Sequence, residues 1–322
     1  HTVFPGKALE SLSRQQIYQD IDKALSQLNP AAVAIAGWAS SDALACLAWC
    51  RKHSKTALLM SETRAVDGRR VWFKEIIKSW RIKPFQGALV GAASHADYLH
   101  SLGFRGPVAF GYDVVDNANF RQESTQWRVN DQRRSLTIRP YILASNRFVE
   151  RKNLIRLVQA FANVVRSDGS RQVAAVDLCL VGDGPERAVL KSTCQALGLP
   201  VVEAAPWDAE DQGTAASTSP RVFLPGFRQI EELPRFYAHA CCFVHPAISE
   251  PWGLVINEAM ACGLPVLCSN NCGAAEELVC DRVNGFIFDP LDATSIVDAF
   301  QNVLALDSLS IANFSQASRS IL

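Results

Sequence analysis

The sequence predicts an α/β protein built from two doubly wound parallel-sheet units. Three observations carry that prediction. Short, continuous apolar runs recur along the chain between turn residues, the pattern of strands buried on both faces. Helical patterns separate those runs, as crossovers between parallel strands require. The length of 322 residues, with 48% hydrophobic and 20% charged side chains, suits about two cores and excludes disordered, collagen-like and coiled-coil chains.

In chain order, Ala31–Ala36 (AAVAIA), Thr56–Met60 (TALLM), Gly87–Val90 (GALV) and Pro107–Phe110 (PVAF) read as strands of a first unit. A second set follows: Tyr141–Ala144, Val176–Val181, Val222–Leu224, Cys242–His245, Val266–Cys268 and Gly285–Phe288. Helical stretches at Asn153–Arg166, Pro185–Leu197, Glu231–Ala240, Leu254–Cys262 and Asp292–Leu304 alternate with the second set. The expected division is 1–115, 116–305 and a tail, 306–322, returning toward the first unit. The polar stretch Trp207–Pro220 reads as a surface loop.

Ten cysteines fit no metal-ligand spacing and read as small buried hydrophobes in a reducing compartment. The chain opens His1-Thr2-Val3-Phe4-Pro5, without an initiator Met, a signal peptide or a long apolar run. The expectation is a cytoplasmic protein, at most peripheral at the inner face of the plasma membrane, whose extreme N-terminus lies outside this sequence. Lys+Arg and Asp+Glu are equal at 32 each, which argues against a nucleic-acid partner. The balance hides an asymmetry, because residues 1–130 carry 16 basic and 11 acidic side chains and the remainder carry 16 and 21.

In open parallel sheets, ligands bind beyond the carboxyl ends of the strands. The informative loops therefore are Ser145–Asn153, Gly182-Asp183-Gly184-Pro185, Pro225-Gly226-Phe227-Arg228 and the segment from Pro246 to Val266. In the last of these, Glu250 precedes Pro251 in a loop and Glu258 lies eight positions on, inside a helix. Gly253 lets the backbone approach a ligand, and the helix start offers N–H groups and a positive dipole end to a phosphate. Carboxylates accept hydrogen bonds from hydroxyl groups. A phosphate between two hydroxyl-rich groups describes a nucleotide sugar. A dehydrogenase reading fails, since the one GxG, Gly182-Asp183-Gly184, is followed by Pro185 and lacks the third glycine.

With these residues in order, the sequence resembles retaining glycosyltransferases of family 4, of the type found in bacterial polysaccharide biosynthesis. The resemblance rests on Gly111-Tyr112-Asp113, Arg147 with Lys152, Val181–Pro185, Glu250 with Glu258 and Asn284-Gly285. It implies the GT-B fold, two Rossmann-like domains facing a central cleft. It also implies roles. Arg147 and Lys152 would hold the donor diphosphate and stabilise the leaving group. Glu258 would take the ribose hydroxyls, and Glu250 would face the transferred sugar. Gly253, Leu254 and Val255 would hold sugar and phosphate oxygens through their backbone. Gly184 would border the nucleotide sugar, and Phe227 and Arg228 the base. The family often places a histidine on the acceptor side, and His95 is the candidate by position. Gly37–Ser41 and Glu62-Thr63-Arg64 follow strands of the first unit and would border the acceptor side.

The implied reaction transfers a sugar with retention from a nucleoside diphosphate sugar, without metal or cofactor. UDP-glucose is the leading donor and GDP-mannose the alternative. The implied acceptor is a glycan or a lipid-linked glycan in polysaccharide assembly. A catalytically reduced nucleotide-sugar-binding scaffold of an assembly complex is the rival reading.

One feature stands outside this frame. Gly68–Ile82 (GRRVWFKEIIKSWRI) places Trp72, Phe73, Ile76, Ile77 and Trp80 on one helical face, with Arg70, Lys74, Lys78 and Arg81 on or beside the other. Packing of that stripe on the first sheet is the expected arrangement, because amphipathic helices in α/β domains are routine. Peripheral contact with an anionic membrane surface is the second.

Overall fold

The computed structural model describes residues 3–4, 11–68, 70–131, 138–167, 176–208 and 219–322. The chain divides into two compact units, His1–Asp113 and Val114–Leu322.

In the first unit the elements run α1 (Arg14–Leu28), β1 (Ala32–Ala36), α2 (Ser41–Lys52), β2 (Thr56–Ser61), α3 (Trp72–Ile82), β3 (Gly87–Val90), α4 (Ala93–Ser101) and β4 (Val108–Phe110). The strands pair in parallel in the order β1-β2-β3-β4. Trp49, Leu59, Ile82, Val90, Leu99 and Phe104 belong to its core. α1 starts on a capping box, in which Ser13 accepts from the Gln16 N–H and the Gln16 side chain returns to the Ser13 backbone.

The aromatic stripe of α3 departs from the expected packing. Trp72 and Trp80 are 75% and 72% exposed, and Phe73, Ile76 and Ile77 are each 48% exposed. The reason is local. Glu75 and Lys78 turn inward instead, because the Tyr98 hydroxyl donates to Glu75 at 2.7 Å and accepts from Lys78 at 2.9 Å.

The second unit contains α5 (Asn117–Asn130), β5 (Tyr141–Ser145), α6 (Leu154–Ser167), β6 (Asp177–Val181), α7 (Arg187–Ala196), β7 (Val201–Val202) and β8 (Val222–Gly226). It continues with α8 (Leu233–His239), β9 (Ala240–His245), α9 (Leu254–Ala261), β10 (Val266–Ser269), α10 (Gly273–Leu278), β11 (Gly285–Phe288), α11 (Ala293–Leu304) and α12 (Ser308–Ile321). Seven parallel strands lie in the order β11-β10-β9-β5-β6-β8-β7. The order reverses between β5 and β9, and such a switch point opens a crevice at the strands' carboxyl ends. β5 and β6 are buried nearly throughout, which explains their apolar runs at 141–144 and 178–181.

The segment expected as a tail forms α12 within the second unit. Phe314 joins the main core, with its ring 5.6 Å from that of Phe286. Gly263, at φ +77°, lets α12 approach closely, since a Cβ there would lie 2.5 Å from Ser315 Oγ. The surface loop read at Trp207–Pro220 falls mostly at 209–218, outside the described residues. All ten cysteines are free thiols, and seven are buried.

Candidate functional site

The switch point brings two loops together, one after β5 and one after β9. After β5 the chain runs through Asn146 and Arg147 into a short 3₁₀ turn, Glu150–Lys152, closed by Asn153 at φ +57°. Asn is among the side chains that tolerate this left-handed conformation, and its Nδ2 donates to the Pro290 carbonyl at 2.7 Å. The turn delivers a buried Lys152, whose ammonium bonds the Glu250 carboxylate. Arg147 stays exposed at the end of β5.

The loop after β6 is stitched to the loop after β5, backbone to backbone. Phe148 N–H donates to the Asp183 carbonyl at 2.8 Å, and Glu186 N–H donates to the Phe148 carbonyl at 3.0 Å. Close approach explains both glycines of Gly182-Asp183-Gly184. A Cβ at Gly182 would sit 1.8 Å from the Asn146 carbonyl oxygen, and one at Gly184 2.5 Å from that of Phe148.

After β9 the backbone carries Glu250 into a bridge with Cys272. Glu250 N–H donates to Asn271 at 3.2 Å, and Gly273 N–H donates to Glu250 at 3.0 Å. His245, fully buried at the end of β9, places Nε2 3.4 Å from Glu250 Oε2. Burial works to raise the Glu250 carboxyl, but His245 and Lys152 outweigh it and bring it down to about 2. Burial lowers the His245 imidazole below its usual range, against the pull of Glu250. At neutral pH the site thus holds an ionised carboxylate and a neutral imidazole.

Gly253 caps α9 at φ +103°, and a Cβ there would lie 2.9 Å from Cys272 Sγ and 3.4 Å from Glu250 Cγ. Only glycine lets the chain turn into the helix at this point. The Leu254 and Val255 N–H groups follow at the helix start, where no carbonyl one turn earlier is available to them. Helix-start N–H groups of this kind can receive an anion, here beside the Lys152–Glu250 pair. Further along α9, Glu258 is buried and accepts from the Tyr237 hydroxyl at 2.7 Å. Burial raises its carboxyl to about 7, although the Tyr237 bond opposes the rise.

The structure therefore brings Lys152, Glu250 and Gly253 into one cluster and leaves Arg147 exposed, earlier in the same loop after β5 that carries Lys152. The Phe227 ring is exposed at the end of β8, while the Arg228 guanidinium bonds Glu232 at 2.9 Å and the Pro225 carbonyl at 3.1 Å. His95, on the first unit, is fully buried, and its Nδ1 accepts from the Ala92 N–H at 3.0 Å, capping its own helix. Also on the first unit, a pocket of about 390 Å³ lies at the carboxyl ends of β1 and β2, lined by Gly37, Trp38, Ser40, Glu62, Thr63 and Tyr112. Sequence reading missed Tyr237 and Cys272, because nothing in the pattern of α8 or of the loop before α10 reveals which distant residue each one meets.

Two units of parallel sheet, the second with a crevice at its switch point, define the class of α/β fold. Residues 139–305 match the family model of group 1 glycosyl transferases, more than half of the chain, and the chain belongs to that family. It is 45% identical over 90 residues to the O-antigen chain mannosyltransferase B of Escherichia coli, covering 28% of this chain and 22% of that protein. It is 30% identical over 198 residues to a GDP-mannose-dependent alpha-(1-6)-phosphatidylinositol monomannoside mannosyltransferase of Mycolicibacterium smegmatis, covering 59% and 45%. It is also 30% identical over 172 residues to the sucrose-phosphate synthase of Spinacia oleracea, covering 52% and 15%. The chain spans less than half the length of each of these relatives.

Among solved structures, Anabaena HepE in complex with UDP and glucose aligns with a TM-score of 0.71 at 18% identity, covering 96% of this chain and 78% of that one. The sucrose-phosphate synthase of Thermosynechococcus elongatus aligns at 0.69 and 20% identity, covering 99% and 76%. The fold is GT-B.

Proposed function

We propose that this chain transfers a sugar, with retained anomeric configuration, from a nucleoside diphosphate sugar to a glycan or lipid-linked acceptor in polysaccharide assembly. The observation that carries the reading is the buried Lys152–Glu250 pair set against the glycine-capped start of α9. A departing diphosphate needs positive charge placed in advance, and Lys152, Arg147 and the helix end supply it without a resident metal. Glu250, held ionised, accepts hydrogen bonds from the sugar hydroxyls and keeps Lys152 in place. Glu258 accepts from the ribose, the Leu254 and Val255 N–H groups hold phosphate or sugar oxygens, and Gly184, Phe227 and Arg228 border the nucleotide. The pocket of the first unit, with Glu62 and Tyr112, is the acceptor side in this reading.

UDP-glucose is the donor we favour, supported by the structural likeness to a protein solved with UDP and glucose. GDP-mannose is the alternative, supported by the two mannosyltransferase relatives. Thermal-shift titration with UDP-glucose, GDP-mannose and an ADP-sugar tests the choice. Stabilisation by UDP-glucose alone is expected, and stabilisation by GDP-mannose alone overturns it. Release of free UDP from UDP-glucose, even by slow hydrolysis, separates an enzyme from a nucleotide-sugar-binding scaffold.

A further inference from the structure

We propose that the outward face of α3 docks on an anionic phospholipid surface. The helix is amphipathic in the reverse sense to one that covers a core. Its inward side is polar, organised around Tyr98 of α4. The Tyr98 hydroxyl donates to Glu75 at 2.7 Å and accepts from Lys78 at 2.9 Å and from Arg70 at 2.6 Å. Lys78 also bonds Glu75 at 2.8 Å, and the Arg70 guanidinium lies 4.1 Å from the centre of the Tyr98 ring. Ile82 is the buried apolar side chain of α3.

The outward side carries Trp72, Phe73, Ile76, Ile77 and Trp80, all exposed. At ~100° per residue these five span roughly 140° of the helix circumference, a continuous apolar face. The polar network fixes the helix in this orientation, so the face cannot turn inward without breaking it. Single exposed apolar residues are ordinary, but five on one face mark a contact surface.

Charge selects the partner. Lys74, Arg81 and Lys83 are exposed along the helix and at its end. Tryptophans seat at the headgroup level of a bilayer, and a basic rim draws in anionic lipid, roughly fivefold in partition per side chain near the surface. A second copy docked two-fold on this face would set one basic rim against another. The proposal stands apart from the donor-site reading, which concerns the second unit.

The test is sedimentation of the 322-residue chain with vesicles of phosphatidylcholine alone or with about 30 mol% phosphatidylglycerol. The anionic vesicles should be bound at least about tenfold more tightly, and about 0.5 M salt should erase most of that preference. Trp72→Ser/Trp80→Ser should weaken binding to anionic vesicles about tenfold, and Lys74→Glu/Arg81→Glu should remove the preference for them. Both double variants replace exposed side chains, so their thermal unfolding and nucleotide-sugar binding should match the parent chain. Equal recovery with both vesicle types, or undiminished binding by Trp72→Ser/Trp80→Ser, overturns the proposal. So does a dimer in sedimentation velocity that this variant dissociates, because a second copy then covers the face.

Discussion

Binding of a nucleoside diphosphate sugar should tighten about tenfold from about pH 6 to about pH 8, with Glu258 as the cause. Burial holds this carboxyl at about 7 even though Tyr237 donates to it at 2.7 Å. Only the ionised form can accept from two ribose hydroxyls, because a protonated carboxyl turns one oxygen into a donor. With a midpoint near 7, the ionised fraction rises from about one tenth to about nine tenths across that range, and apparent affinity follows it. A sugar-capped diphosphate suits the assay, since it keeps its charge throughout, and titration calorimetry at the two pH values reads the ratio. Burial lowers His245 from its usual range, away from the midpoint of Glu258. Glu258→Gln should bind with little dependence on pH, and Tyr237→Phe should move the midpoint upward. A flat profile in the parent chain, or the same slope in Glu258→Gln, refutes the reasoning.

The same burial acts on stability. The folded-state carboxyl of Glu258 lies above its ordinary 4.5, so the unfolded chain releases its proton first and stability falls as pH rises from about 4.5 to about 7. Glu258→Gln removes that cost, and denaturant titration at about pH 8 should show it more stable by about 3 kcal/mol. Glu250, brought down to about 2, has the opposite sign: its contribution is complete above 4.5 and is lost as pH falls toward 2. Gly253→Ala meets both a left-handed backbone and Cys272 Sγ at 2.9 Å, so chemical denaturation should report a loss of about 1–3 kcal/mol together with weaker donor binding. Lys152→Ala should lower donor turnover about a hundredfold and Arg147→Ala about tenfold, as the buried cation is the better placed to meet charge on the leaving phosphate. Unchanged rates in a nucleotide-release assay would remove both from the site.

Much of the second unit can be read directly from its residues. Strands such as β5 are buried on both faces over 141–144, so that run is apolar, and the turn residues that follow mark where the ligand side lies. The interval between Glu250 and Glu258 is equally visible, because loop, glycine and helix follow one another within a few positions. The glycines of Gly182-Asp183-Gly184 were legible as special positions. Their reason, contact with the backbone at Asn146 and Phe148, was not, since it depends on a loop more than thirty positions away.

What the sequence determined alone is therefore local: the alternation of strand and helix, the loops that carry chemistry, and the amphipathic character of α3. Periodicity and turn chemistry act over a few residues and need no partner. The tertiary structure decided which groups meet. It set Lys152 against Glu250, separated by 98 positions, and Tyr237 against Glu258, separated by 21. It buried His95 and His245, and it docked α12 through Phe314 on the second unit's core. It also decided that the apolar face of α3 points outward. A helical pattern shows that one side is apolar, but only the neighbours, here the hydroxyl of Tyr98, determine which side turns in.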